Sequence, residues 1–263
     1  MVRNFPIIQV PPDACLANED LGTKPKFWFE HREFGRCLYK QARANTGEDW
    51  AEKIASEFCQ LLGLPHATVE LATWKTSLGT VSPSFMPKNG QIIHGNEILF
   101  KNDGKYPRSR QYAVSEHTLD AVLIAISDEA VKLPLNWTPP PGIQTAADTF
   151  IGYLMLDAWI GNTDRHHENW GFIEISEAGL LTVHLAPTYD HASSMGRELQ
   201  DSQRQNIVSS KSVNQYVAKC RSALYDTALC VTNWYSNSSE QSNLTDHVCH
   251  ITLLPMLAVS LSG

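Results

Sequence analysis

Apolar residues recur along this chain with two periods, and the alternation between them lays out the elements. A short apolar run near the start, Ile7-Ile8-Gln9-Val10, follows a polar, proline-containing opening and reads as an edge strand or an arm. Residues 21–29 form a turn entering an aromatic strand, Phe27-Trp28-Phe29. Gly35-Arg36-Cys37-Leu38-Tyr39-Lys40 then alternates as a second strand, so the two are expected to pair as a hairpin. Next the period lengthens. From Glu48 to Leu62 acids fill the first turns, apolar side chains stand at Ile54, Phe58, Leu61 and Leu62, and Gly63 and Pro65 end the run, which predicts a helix. Residues 67–74 return to a strand pattern. Residues 86–115, rich in Pro, Gly, Lys and Asn, predict a long loop containing a short apolar turn between Ile92-Ile93 and Leu99-Phe100. Residues 117–126 are helical, and residues 134–141, with Pro139-Pro140-Pro141, are a break. Between Thr145 and Ile160 the apolar positions Ala147, Phe150, Ile151, Leu154 and Ala158 fall at helical spacing. Two strands, 170–175 and 180–185, flank a turn at Glu177-Ala178-Gly179, and helices are expected over 212–224 and from 231 onward to 261.

Composition narrows the class without naming a function. The 263 residues suffice for one large domain or a two-lobed one. Hydrophobic content of 43% and charged content of 19% are those of an ordinary globular protein. A net charge of −7 and a pI near 5.8 argue against direct nucleic-acid binding, which calls for clustered Lys and Arg. Cys15, Cys37, Cys59, Cys220, Cys230 and Cys249 show no C-x-x-C pair and no metal-finger spacing, so reduced, mostly buried thiols are expected. No signal-peptide core and no membrane-length apolar run occur, which predicts a cytoplasmic protein without a membrane partner.

The candidate chemistry lies in Asn162-Thr163-Asp164-Arg165-His166-His167-Glu168-Asn169-Trp170-Gly171, answered by Pro187-Thr188-Tyr189-Asp190-His191. An acid, an amide five residues later, two apolar runs and a second acid suffice to hold Mg²⁺-ATP and aim a hydroxyl at its γ-phosphate. Phosphoryl transfer asks for positioned charge more than for covalent chemistry. Asp164 would orient the incoming hydroxyl, the Asn169 amide oxygen would take metal without adding charge, and Asp190 would carry the main metal load, because Mg²⁺ prefers carboxylate oxygen. A hairpin over residues 170–185 would bring Asp190 back beside Asn169. Asp157, on the preceding helix, is expected to be a structural hydrogen-bonding residue, and His167 to be solvated.

These motifs, with Ser193 after Tyr189-Asp190, resemble those of the HipA-like kinases, bacterial Ser/Thr protein kinases of which many are toxins of toxin–antitoxin pairs, distantly related to phosphatidylinositol 3/4-kinases. The resemblance implies an α+β, two-lobed protein-kinase-like fold, with a small β-rich N-lobe over 1–85 and a mainly helical C-lobe over 86–263. It implies Asp164 as the catalytic acid/base, His166 as a buttress of the loop, Asn169 and Asp190 as Mg²⁺ ligands, and ATP as cosubstrate. A phosphate loop with glycine followed four residues later by lysine is matched by Gly22, with Thr23, Lys24 and Lys26. Lys40 would reach the α/β-phosphates and Glu52 would hold it, with Glu57 as the reserve. Residues 78–85 resemble the inter-lobe connection, with Ser84, Phe85 and Met86 at the adenine edge, and residues 191–199 would be the activation segment.

The partners so implied are a protein with a Ser/Thr acceptor and an antitoxin, and the alternative to a toxin is an effector delivered to a host cytosol. Two features depart from the family. Glu19 falls near the place of the serine that is often autophosphorylated there, and the phosphate loop starts too early for the N-terminal subdomain of long HipA proteins. A phosphatidylinositol-type lipid kinase is the first rival, disfavoured because residues 191–204 offer only Arg197 and Arg204 against Glu198 and Asp201. A pseudokinase binding module is the second. Aminoglycoside-type phosphotransferases usually carry a His where this chain has Asn162-Thr163.

Overall fold

The computed structural model describes residues 5–14, 17–18, 25–217 and 220–225. In its N-terminal part six strands form one sheet: β1 (Ile7–Val10), β2 (Ala17–Asn18), β3 (Lys26–His31), β4 (Gly35–Gln41), β5 (Glu70–Trp74) and β6 (Ser77–Pro83), in the order β1-β5-β6-β4-β3-β2. The aromatic hairpin forms as its alternation predicts. β3 and β4 pair antiparallel with Lys26 opposite Lys40, while Phe27, Phe29, Cys37 and Tyr39 point into a small core with Val10, Ala72 and Val81. β1 is an edge strand, parallel to β5. Of residues 78–85, expected to form the lobe connection, 78–83 instead belong to strand β6, paired with both β4 and β5.

Helix α1 (Glu48–Leu62) packs on this sheet, but not by the face that its large apolar residues suggest. Ala51, Ala55 and Cys59 are fully buried, whereas Ile54 and Leu61 are exposed and Phe58 is half-buried, stacked on the exposed Trp159. Small side chains at i, i+4 and i+8 let the helix lie close to its neighbours. Gly63, at φ +69°, ends it in the left-handed conformation, with its N–H on Gln60 O.

The stretch expected to be a loop carries structure. Strand β7 (Gly90–His94) leads directly into helix α2 (Gly95–Asn102), which leaves residues 86–89 and those after α2 irregular. Then come α3 (Leu119–Ile126), β8 (Val131–Lys132), α4 (Ala146–Ile160), β9 (Gly171–Glu177), β10 (Leu180–Leu185), α5 (Asp201–Ser209) and α6 (Val213–Val217). β9 and β10 are the expected hairpin, and β7 extends it into a sheet ordered β7-β9-β10-β8. The helix expected over 212–224 is the single short α6, and α5 was not foreseen. The helices expected beyond 231 lie outside the described residues. The larger core gathers Phe150, Tyr153, Leu154, Leu156 and Ile160 of α4 with Val122 and Ile126 of α3, Phe172 and Leu185.

Candidate active site

Helix α4 delivers the acidic loop. Its N-terminus is fixed by a reciprocal cap, Thr145 Oγ1 accepting from Asp148 N and Asp148 Oδ2 accepting from Thr145 N. At its other end Gly161, at φ +62°, turns the chain out of the helix. Asn162 is then clamped. Its Nδ2 donates to Asp157 Oδ1 (2.8 Å) and its Oδ1 accepts from Asp164 N (3.1 Å), so the last turn of α4 sets the direction in which Asp164 leaves.

Arg165 holds the loop together from inside. Fully buried, it donates from Nε to Asp157 Oδ2 (2.7 Å) and from Nη2 to Asp157 Oδ1 (2.8 Å), a bidentate pair. Its remaining donors reach Asn169 O (2.6 Å), Thr188 Oγ1 (3.1 Å) and Tyr189 O (3.3 Å). One guanidinium therefore ties α4, the acidic loop and the segment after β10. The structural role expected of Asp157 is the one it has, and its partner is Arg165, which spacing alone does not single out. Thr188 also meets His191 Nε2 (2.8 Å), whose imidazole burial holds well below its ordinary range.

The hairpin closure places Asp190 in the same cleft as Asn169, along with Lys40, Glu52 and His166, around a cavity of about 210 Å³. Asp190 sits at φ +60°, a left-handed conformation that an aspartate tolerates better than most residues. Lys40 Nζ lies 3.4 Å from Asp190 Oδ1. Glu52 Oε1 accepts the backbone N–H of His191 (3.0 Å), so this helix acid anchors the segment that bears Asp190. Glu57, the reserve choice, is bound to Lys53 at 2.7 Å and is not among the residues lining the cavity. Asn169 Nδ2 is committed to Asp164 O (2.6 Å), which leaves its amide oxygen as an acceptor. Asp164 Oδ2 accepts from Ser193 Oγ (3.3 Å). Burial pushes the Asp164 carboxyl above the usual aspartate range; His166 pulls it back and Asp190 adds to the rise.

Lys26, Ser84, Phe85 and Met86 line the same cavity, while Gly22, Thr23 and Lys24 lie outside the described residues. Phe85 stacks on Tyr189 at 5.8 Å, and Tyr189 Oη donates to Glu168 O (2.9 Å). His94 Nδ1 lies 3.0 Å from the same hydroxyl. Trp28, His94 and Gln111 also line the cleft, and no spacing marks them in the sequence: His94 and Gln111 lie in the 86–115 stretch, which has no clear period. His167, expected in water, is 1% exposed and meets Tyr106 Oη through Nδ1 (2.8 Å), because α2 and the chain after it cover that side of the loop.

The donor set suits a hard cation. Asp190 offers a carboxylate and Asn169 an amide oxygen, and no cysteine lines the cleft among the described residues. Among the described residues no group of three or more His, Cys, Asp or Glu is placed to hold a metal, so an ion at Asp190 and Asn169 would draw its other ligands from water and phosphate.

A scan of protein-family models gives no match, and neither does a search of curated protein sequences. Solved structures do match. The Helicobacter pylori proinflammatory kinase CtkA superposes with a TM-score of 0.69 at 17% identity, over 98% of this chain and 87% of that one. The fold is that of a two-lobed kinase. A Shewanella oneidensis HipA toxin–antitoxin structure, with HipB and operator DNA, matches at a TM-score of 0.46 and 12% identity, over 94% of this chain and 65% of that one. The α+β architecture that the motifs implied is thus the one found, with a four-stranded sheet supplementing the helices of the C-terminal lobe.

Proposed function

We propose that this chain is a Mg²⁺- and ATP-dependent serine/threonine protein kinase of the HipA-like type. The observation that carries the reading is the convergence of Lys40, Asn169 and Asp190, from three places distant in sequence, on one inter-lobe cleft, with Asp164 tied to Asn169 through its carbonyl. In this reading the purine enters along Ser84, Phe85 and Met86, and Lys40 and Lys26, paired across β3 and β4, face its phosphates; the motif assigns Gly22, Thr23 and Lys24 to the same phosphates. Asn169 Oδ1 and Asp190 would hold Mg²⁺, whose chemistry is to neutralise charge on the β- and γ-phosphates. Asp164 orients the acceptor hydroxyl and takes its proton. Its raised pKa brings it nearer the pH at which a base exchanges protons efficiently. His166 lines the cleft and accepts Glu168 N on Nδ1 (3.2 Å), shaping the turn between Asp164 and Asn169.

The test is transfer of γ-phosphate from Mg²⁺-ATP to casein or a Ser/Thr peptide library by the purified chain. Wild type is expected to transfer and Asp164→Ala to lose at least about a hundredfold in kcat. Asp190→Asn should lose Mg²⁺-dependent nucleotide heat in a calorimetric titration. Nucleotide binding with no transfer by wild type would instead mark a pseudokinase module. If the chain is the toxin of an antitoxin pair, induced expression arrests growth and Asp164→Ala relieves it.

A further inference from the structure

Ser193 and Arg197 stand beside the acidic loop and are not among the residues lining the cleft. The segment after Asp190 turns back on itself through Met195 (φ +54°) and Gly196 (φ +69°), which brings Arg197 over Ser193. Ser193 is fixed by its backbone: its carbonyl accepts from Thr163 N (3.1 Å) and Thr163 Oγ1 (3.3 Å), neighbours of Asp164. Its hydroxyl has two partners. Arg197 Nη2 donates to Ser193 Oγ at 3.2 Å, and Ser193 Oγ donates to Asp164 Oδ2 at 3.3 Å.

The direction of these bonds matters. A guanidinium has no acceptor, so Arg197 must donate, and the hydroxyl proton of Ser193 is then aimed at the carboxylate. Donation from a cation also strengthens the next bond in the chain. Among the described residues no other side chain hydrogen-bonds the Asp164 carboxylate. Pinning Oδ2 leaves Oδ1 for an acceptor hydroxyl. Arg197 is itself held at the far end: its Nη1 pairs with Glu48 Oε1 (3.2 Å), a buried carboxylate in the first turn of α1 that also binds Arg43 (2.6 Å), and Arg197 O accepts Gly47 N–H (2.7 Å). A continuous polar path thus runs from the start of α1 to Asp164.

We propose that Ser193 and Arg197 are positioning residues for the Asp164 carboxylate, and that Glu48 transmits the placement of α1 to them. The inference rests on the kinase reading above. It predicts loss of kcat without loss of nucleotide affinity, because the path touches neither Lys40 nor the metal ligands.

The experiment is steady-state kinetics on casein with Mg²⁺-ATP, alongside melting temperatures. Ser193→Ala and Arg197→Ala should each lower kcat about tenfold, the scale of a hydrogen bond to a charged group, with KM for ATP within about twofold of wild type. Ser193→Thr, which keeps the hydroxyl, should recover most of the rate. The double variant should lose little more than either single one, because both act through the same bond. An unchanged kcat in Ser193→Ala, a failure of threonine to rescue, or additive losses in the double variant would each overturn the proposal while wild-type transfer and a dead Asp164→Ala leave the kinase reading standing. A wild type that transfers no phosphate brings down both.

Discussion

Arg165 carries a full charge where there is no water, and everything around it follows from that. The cost of burying a guanidinium is met by a bidentate carboxylate and three further acceptors, so each of its neighbours is fixed in turn. Replacing it with methionine keeps much of the volume but strands Asp157 as a buried, uncompensated anion. Arg165→Met should therefore cost about 3–5 kcal/mol in chemical denaturation, and Arg165→Met with Asp157→Asn should recover part of that loss. A cost below about 1 kcal/mol would mean that solvent reaches the pair. None of this web could be read from spacing: the acceptors lie 4 to 24 residues from Arg165, and the chain must first close. That Asn169 and Asp190 meet in one cleft is legible, because the two apolar runs between them predict the hairpin that brings them together. The burial of His167 is not, because its cover comes from residues some sixty positions earlier, in a stretch without a clear period.

At the level of elements, the β9–β10 hairpin does what its turn and its two apolar runs foretell, and it carries Asp190 back to the loop. Its neighbour β7 was hidden. A five-residue strand running straight into a helix that starts at a glycine offers no cap and no long period; it exists because β9 offers an edge. The joint is tight, since a β-carbon on Gly171 would stand 2.3 Å from Ile93 O. Gly171→Ala must push β7 away from the sheet, at a cost of about 1–3 kcal/mol. Faster limited proteolysis within residues 86–115 would report the release, and an unaltered digestion pattern would show that β7 does not depend on this contact. α1 teaches the complementary lesson. Its strongest apolar residues do not mark the buried face: the small Ala51, Ala55 and Cys59 lie inward, the last two in the larger core, and Leu61 and Ile54 stay outside.

For the molecule as a whole, burial of histidines makes stability a function of pH. Burial lowers His117 to about 3 and His167 to about 4, and holds His191 well below its usual range. His117 accepts the Trp170 indole N–H on Nε2 (3.1 Å) and faces Ala223 O through Nδ1 (3.2 Å), an arrangement that uses the neutral ring with its proton on Nδ1. In the unfolded chain each histidine titrates near ~6.5, so between that value and the folded one only the unfolded state takes up the proton. Stability from these residues is then complete above pH ~6.5 and is lost as the pH falls toward ~4, by up to ~1.4 kcal/mol per pH unit for each histidine. Urea midpoints measured at pH 7.5, 6.0 and 5.0 should fall steadily, and His117→Asn, though less stable at neutral pH, should show a shallower fall. Parallel slopes for the two proteins would mean that His117 accepts a proton inside the fold. Because His167 belongs to the Asp164–Trp170 loop and His117 packs on both His167 and Trp170, the same acid strain acts where the cleft is assembled. Nucleotide binding should therefore weaken at a pH above that of global unfolding, a separation that calorimetric titration and the urea midpoints together would resolve.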